Sequence, residues 1–219
     1  MGKLVLIDLD NTLINRNGAM ADWVADFGAS RRLSPEAAHC LAEGLRERAT
    51  VATFDGLRCT LGLVESAAQL WDRYVTGMAA RVVCRPTTLS RLDQLRAAGW
   101  SARVLTNGSA DIQRAKIAAA GILGRVDGVY ISEEIGVRKP DPRAFHAATE
   151  WCDSQVSGVG WMVGDNPMTD IAGASAIGLR TIWISAGRPW MVPGLAPDHI
   201  AETANDALDF LLGLPEDSR

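Results

Sequence analysis

The chain has 219 residues, of which 47% are hydrophobic and 22% charged, and its formal net charge is -4. That length suits one α/β domain with an insertion, or two small domains, and buries roughly 70% of the surface its unfolded form exposes. The acidic balance argues against a nucleic-acid or acidic-membrane partner, and no stretch approaches the ~20 apolar residues of a membrane helix.

The N-terminal run MGKLVLIDLDN ends in charges with no small-residue cleavage site, unlike a signal peptide. Gly2 is followed at position 6 by Leu6, where a myristoylation signal would carry Ser or Thr. Cys40, Cys59, Cys84 and Cys152 form no CxxC pair and have no histidine at metal-ligand spacing. They read as reduced thiols of a cytoplasmic protein. Nothing in the sequence chooses between a monomer and a homodimer.

Residues 3–9, KLVLIDL, form a short apolar run of the kind that becomes a strand buried on both faces. Residues 19–83 read as helical, with Ser34-Pro35 as an N-cap followed by proline at the first helical position. Pro86 closes this block. Helices and strands then alternate: helix 87–98, strand 102–106, helix 110–120, strand 126–132, helix 142–152, strand 159–163, helix 168–177 and strand 180–184. A short strand at 199–201 and a helix over 204–213 end the pattern. Such alternation implies right-handed βαβ units and a parallel sheet covered on both faces. The fold class is therefore a doubly wound, Rossmann-like α/β core, residues 1–15 and 86–219, with an inserted helical domain at 16–85.

Ligands of such sheets bind at the carboxyl ends of the strands. The first strand delivers Asp8, Asp10, Asn11 and Thr12 there. The second delivers Thr106, Asn107 and Gly108. The loop beyond Ser132 delivers Arg138, Lys139 and Asp141, and the fourth delivers Gly164, Asp165, Asn166 and Asp170. In an extended chain Asp8 and Asp10 project to one side, and Asp165 arrives from a neighbouring strand. Each pair of carboxylates 4 Å apart repels by roughly 4 kcal/mol at an effective dielectric near 20. Hard oxygen donors without histidine or cysteine then point to Mg²⁺ as the neutralising ion. Lys139 is one of three lysines, with Lys3 and Lys116, against nineteen arginines, which marks it as functional. Asp141-Pro142 reads as a helix N-cap, and His39, His146 and His199 as surface or capping residues.

The ordered set Asp8-Leu9-Asp10-Asn11-Thr12, Thr106-Asn107-Gly108, Lys139-Pro140 and Gly164-Asp165…Asp170 resembles the haloacid dehalogenase-like superfamily, whose helical cap lies between the first two motifs. The resemblance implies that Asp8 is a nucleophile, that Asp10 is its acid–base partner, and that Thr106 and the Asn107 backbone bind phosphate. It implies that Lys139 neutralises charge and that Asp8 and Asp165, with Asp10 through its carbonyl, hold Mg²⁺. Asp170 and Asn166 would support this shell. The implied activity is Mg²⁺-dependent hydrolysis of a small phosphorylated metabolite through an aspartyl-phosphate. Sugar phosphates, nucleoside monophosphates and small acid phosphates all remain open.

Other activities of the family fit less well. Its dehalogenases lack the second aspartate, present here as Asp10. Its phosphonatases use a cap lysine, and no lysine lies between Lys3 and Lys116. Its phosphomutases carry a histidine about where Met20 stands, and its pumps need membrane helices. A 2-haloacid dehalogenase-type hydrolase and a non-catalytic phospho-ligand binder are the alternatives. The cap is expected to hinge at Gly18 and Arg85-Pro86 and to offer Arg16, Asn17, Arg58 and the segment 50–57 to substrate. Trp23, Phe27, Phe54 and Trp71 are expected to form its core, with some of them available to the pocket.

Overall fold

The computed structural model describes residues 3–149 and 160–215. Gly2, Cys152, the end of the helix expected over 142–152 and the strand start at Val159 lie outside the described residues. In chain order the elements are β1 (Lys3–Ile7), α1 (Arg16–Arg31), α2 (Pro35–Arg46), α3 (Val51–Leu61), α4 (Ala67–Ala79), α5 (Pro86–Ala97), β2 (Trp100–Thr106), α6 (Ala110–Ala119), β3 (Gly128–Ile131) and α7 (Pro142–Thr149). They continue with β4 (Gly160–Gly164), a π-helical turn at Pro167–Ala172, α8 (Gly173–Ser175), β5 (Arg180–Ile184), β6 (His199–Ala201) and α9 (Ala204–Gly213).

The six strands form one parallel sheet in the order β3-β2-β1-β4-β5-β6. Strand alternation explains why it needs helices on both faces. Leu4 and Leu6 pack with Phe145, Ala148 and Ala174 on one side. Val5 and Ile7 pack with Leu92, Leu95, Ala207 and Leu208 on the other. Ile7 is in register with Val104 and Val163, so β4 runs one residue and β2 two residues beyond the end of β1. The strand order reverses between β1 and β4, which is where a doubly wound sheet leaves a crevice.

Helices α1–α4 fill the interval between β1 and α5. Ser34 caps α2 by accepting from the Ala37 N–H, with Pro35 next. Aromatic packing forms their interior: Trp23 stacks on Phe27 at 4.8 Å and meets Tyr74 edge-on at 4.9 Å, and Phe54 lies 5.4 Å from Tyr74. The Arg16 guanidinium closes the carboxyl end of α2, donating to the carbonyls of Leu45 (2.6 Å), Arg46 (2.6 Å) and Glu47 (2.8 Å). Those carbonyls lack partners within the helix, and the end of the helix dipole favours a cation.

Among the described residues no helix is long and apolar enough to cross a membrane. Cys40, Cys59 and Cys84 are free thiols. His39 and His146 are exposed, and His199 stacks on Phe210.

Candidate active site

β1 ends at Ile7, two residues earlier than the sequence pattern predicts. The Asp8 N–H still reaches the Val163 carbonyl at 2.9 Å, extending the ladder by one bond. The chain then closes a turn in which Leu13 and Ile14 both donate to the Leu9 carbonyl, with Asn11 in the left-handed region at φ 61. Asparagine tolerates that region better than most residues. Asp8 and Asp10 are therefore not successive outward residues of one strand. The Asp8 carboxylate faces the Lys139 ammonium at 2.7 Å, while the Asp10 carboxylate faces Lys116 at 2.6 and 2.7 Å.

Lys139 is buried and bridges two acids, Asp8 at 2.7 Å and Asp170 at 2.8 Å. Its backbone is held by the side chain of Asn107, which accepts from the Lys139 N–H and donates to the Lys139 carbonyl, both at 2.9 Å. The expectation for Asn107 concerned its backbone N–H alone. Its amide also ties the loop after β3 to the end of β2.

Beyond β4 a regular α-helix is expected over 168–177, but the chain makes a π-helical turn first. Asn166 accepts from the N–H groups of Met168 and Thr169, and Asp170 accepts from the Asn166 N–H at 3.0 Å. Widened turns of this kind recur at functional sites. Gly164 makes room for Asp170: a Cβ there would lie 2.5 Å from the Asp170 Cβ and Cγ. The Asp165 carbonyl accepts from the Trp183 indole (2.9 Å) and from Arg188 (3.0 Å), whose guanidinium also lies 3.5 Å from the Asp165 carboxylate. Trp183 and Arg188 carry no local motif, so the sequence gives no sign of this support.

Oxygens of Asp8, Asp165 and Asp170 lie within 4.8 Å of one another. The sequence pattern instead groups Asp8, Asp10 and Asp165. The difference follows from the turn at Asn11, which sends Asp10 toward α6, and from the π turn, which brings Asp170 inward. Burial, aided by repulsion from Asp170 and Asp165, pushes the Asp8 carboxyl up to about 8, against the pull of Lys139. Burial and Asp170 push Asp165 up to about 6. Burial alone would lower Lys139, but Asp170 and Asp8 outweigh it and hold the ammonium above the ordinary lysine range. The cluster is thus short of positive charge, and its donors are all hard oxygens. A divalent cation of the Mg²⁺ type fits both facts.

A family model described as haloacid dehalogenase-like hydrolase matches residues 3–178. The chain belongs to the haloacid dehalogenase-like hydrolase family. It is 39% identical over 114 residues to a phosphoserine phosphatase of Thermus thermophilus, a match that covers 52% of this chain and 45% of that one. The match thus spans less than half the length of that relative. Its fold is similar to that of the magnesium-bound HAD-hydrolase YfnB of Bacillus subtilis, with a TM-score of 0.75, 17% identity, and 97% and 99% of the two chains covered. It is also similar to the L-2-haloacid dehalogenase of Xanthobacter autotrophicus with chloropropionic acid covalently bound, with a TM-score of 0.72, 20% identity, and 98% and 100% covered. At these identities the two likenesses show the fold.

In this haloacid dehalogenase-like hydrolase a cavity of about 800 Å³ has Asp8, Asp10, Thr106, Asn107, Lys139 and Asp165 among its lining residues. Asn166 and Asp170 also line it. From the helical insertion it receives Arg16 and Asn17, as expected, together with Met20, Glu43, Arg46 and Arg48. Arg58 is not part of that lining: it pairs with Asp55 on its own helix. Thr50, which caps α3, and residues 51–57 within that helix are absent from the lining too. Gly18 lies in the first turn of α1, within regular helix, where the sequence suggests a hinge. Trp23, Phe27, Phe54 and Trp71 are spent on the interior of the insertion. Lys116 and Gln113 line the cavity and touch expected site residues, yet no site motif includes them.

Proposed function

We propose that this hydrolase is a Mg²⁺-dependent phosphatase acting on a small polar phosphate monoester. The observation that carries the reading is a buried nucleophile candidate, Asp8, in an under-neutralised acidic cluster, with a second carboxylate, Asp10, lining the same cavity.

The Asp8 carboxylate attacks phosphorus and the bond to the ester oxygen breaks, leaving phosphate on Asp8. Asp10 gives its proton to the departing oxygen. It then takes a proton from water as that water attacks the aspartyl-phosphate, releasing phosphate and restoring Asp8. Thr106 offers its hydroxyl to a phosphate oxygen, with the Asn107 N–H beside it, and Lys139 compensates the negative charge of both phosphate and nucleophile. Asp8 and Asp165, with the Asp10 carbonyl, would hold Mg²⁺, which would supply positive charge to offset the negative charge of the phosphoryl group. Asp170 and Asn166 keep Lys139 and the Asp165 loop in place. Attacker and target are both negative, so positioning and electrostatics supply most of the rate.

Residues 16–85 would act as the cap that closes over the cavity. Among the described residues no aromatic ring face in the cavity is free to stack a nucleobase: Trp23, Phe27, Phe54 and Trp71 lie in the interior of the insertion, and Tyr74, which lines the cavity, is almost wholly buried. The wall is instead polar and charged, which favours sugar or hydroxy-acid phosphates over nucleotides.

The test is a panel of phosphate esters assayed with Mg²⁺ and with EDTA, alongside chloride release from 2-chloropropionate. Turnover that needs Mg²⁺ and falls by about 10³-fold or more in Asp8→Asn supports the reading. Full activity in Asp8→Asn, or dehalogenation in EDTA, overturns it.

A further inference from the structure

Helix α6 turns two almost wholly buried side chains, Gln113 and Lys116, toward the exit of β1. They are three residues apart and so share one helix face. Lys116 donates to both oxygens of Asp10, at 2.6 and 2.7 Å. Gln113 donates to the Thr106 hydroxyl (2.5 Å), to Asp10 (3.2 Å) and to the Asn107 carbonyl (3.2 Å). The loop leaves space for this amide, because a Cβ on Gly108 would sit 2.8 Å from the Gln113 side chain.

Asp10 stands in a turn and is partly exposed. Alone, its carboxylate could swing into the cavity or toward solvent. A contact to both of its oxygens from one fixed ammonium sets its direction, and the Gln113 amide, donating to one of them, sets its plane. A lysine is an expensive group to bury for packing alone, since its ammonium loses its water.

We propose that Lys116, with Gln113, is a positioning residue that sets the pose from which Asp10 exchanges its proton with the leaving oxygen. The proposal rests on the phosphatase reading, and its failure can be told apart from the failure of that reading. Proton donation matters most when the departing oxygen is basic. A loss of Asp10 pose should therefore appear with an alkyl phosphate and largely vanish with p-nitrophenyl phosphate, whose leaving group departs without help.

The experiment measures kcat and KM for Lys116→Met on both esters. The expected result is a fall in kcat of about 10²-fold on the alkyl ester, a few-fold on p-nitrophenyl phosphate, and a nearly unchanged KM. Lys116→Arg, which can still donate to both oxygens, should recover part of the loss. Equal losses on the two esters would mean a merely structural pair and would overturn the proposal.

Should Lys116→Met fail to fold, Asp10→Asn and the double variant Asp10→Asn/Lys116→Met carry the test, since neither buries an unpaired carboxylate at this position. The double variant should be no slower than Asp10→Asn on the alkyl ester. A further loss of about tenfold or more, counted against the general-acid contribution, would show that Lys116 acts other than through Asp10 and overturn the proposal. Phosphate-ester turnover that is absent in the wild type, or that persists in Asp8→Asn, would instead sink the phosphatase reading itself.

Discussion

Asn107 and Lys139, 32 residues apart, clasp each other through a closed pair of hydrogen bonds, amide side chain to backbone, each 2.9 Å long. The clasp sets where the buried ammonium emerges. Asn107→Ala should cost about 1–3 kcal/mol, because buried backbone groups lose their partners. It should also lower kcat/KM by about tenfold or more through a displaced Lys139. Urea denaturation and steady-state kinetics check the two effects separately, and a stable but slow variant would show that the clasp serves the site.

Lys139→Met leaves Asp8 and Asp170 side by side in a buried site with no ammonium between them. Breaking a buried ion pair by removing one partner destabilises by about 3–5 kcal/mol. The expected result is a lower urea midpoint that recovers in the double variant Lys139→Met/Asp170→Asn, while activity does not return. Recovery of activity in the double variant would contradict the role given to Lys139.

Asp8 sits at about 8 and Asp165 at about 6, both raised from 3.8. A raised carboxyl means that the folded state binds the proton more tightly than the unfolded chain, so this cluster's contribution to stability falls as pH climbs from about 4 to about 8. A cation that replaces those protons reverses the trend. Melting curves in EDTA and in excess Mg²⁺ should separate little at pH 5 and widely at pH 8, by about 2.7 kcal/mol at one hundred times the dissociation constant. An Mg²⁺ gain that is the same at both pH values would show that these acids are not what the ion displaces.

Gly164→Ala introduces a methyl group into space held by Asp170. Overpacking of this kind costs about 1–3 kcal/mol, and here it displaces an acid whose two oxygens hold Lys139 and the Asn166 N–H. The variant should lose stability and activity together. Asp170→Asn in the same background should relieve little of either, because the clash with Oδ2, Cβ and Cγ is steric and an amide fills the same space.

The sheet and the rim residues were legible because both depend on local pattern. The run Leu4 to Ile7 is apolar throughout because both sheet faces are covered, and a strand's carboxyl end is where a ligand meets such a sheet. What depends on long-range geometry was not legible. The grouping of Asp170 with Asp8 requires a π turn that no spacing announces. Lys116 shares the rarity that singled out Lys139, since only three lysines occur, yet its partner is 106 residues away in sequence. Arg16 was legible as a pocket residue, but its bond to the end of α2 was not, because a helix terminus can be closed from anywhere in the chain.

That bond has an evolutionary consequence. The stretch from Leu45 to Glu47, which carries Arg46 and Glu47 on the cavity wall, is moored by Arg16 to the segment that begins six residues after Asp10. The outer faces of α3 and α4 can then diversify without altering the span between wall and reaction centre. Single replacements on the moored stretch alter what the wall admits. A lineage built this way can change what the wall admits by small steps while the acidic cluster stays in place.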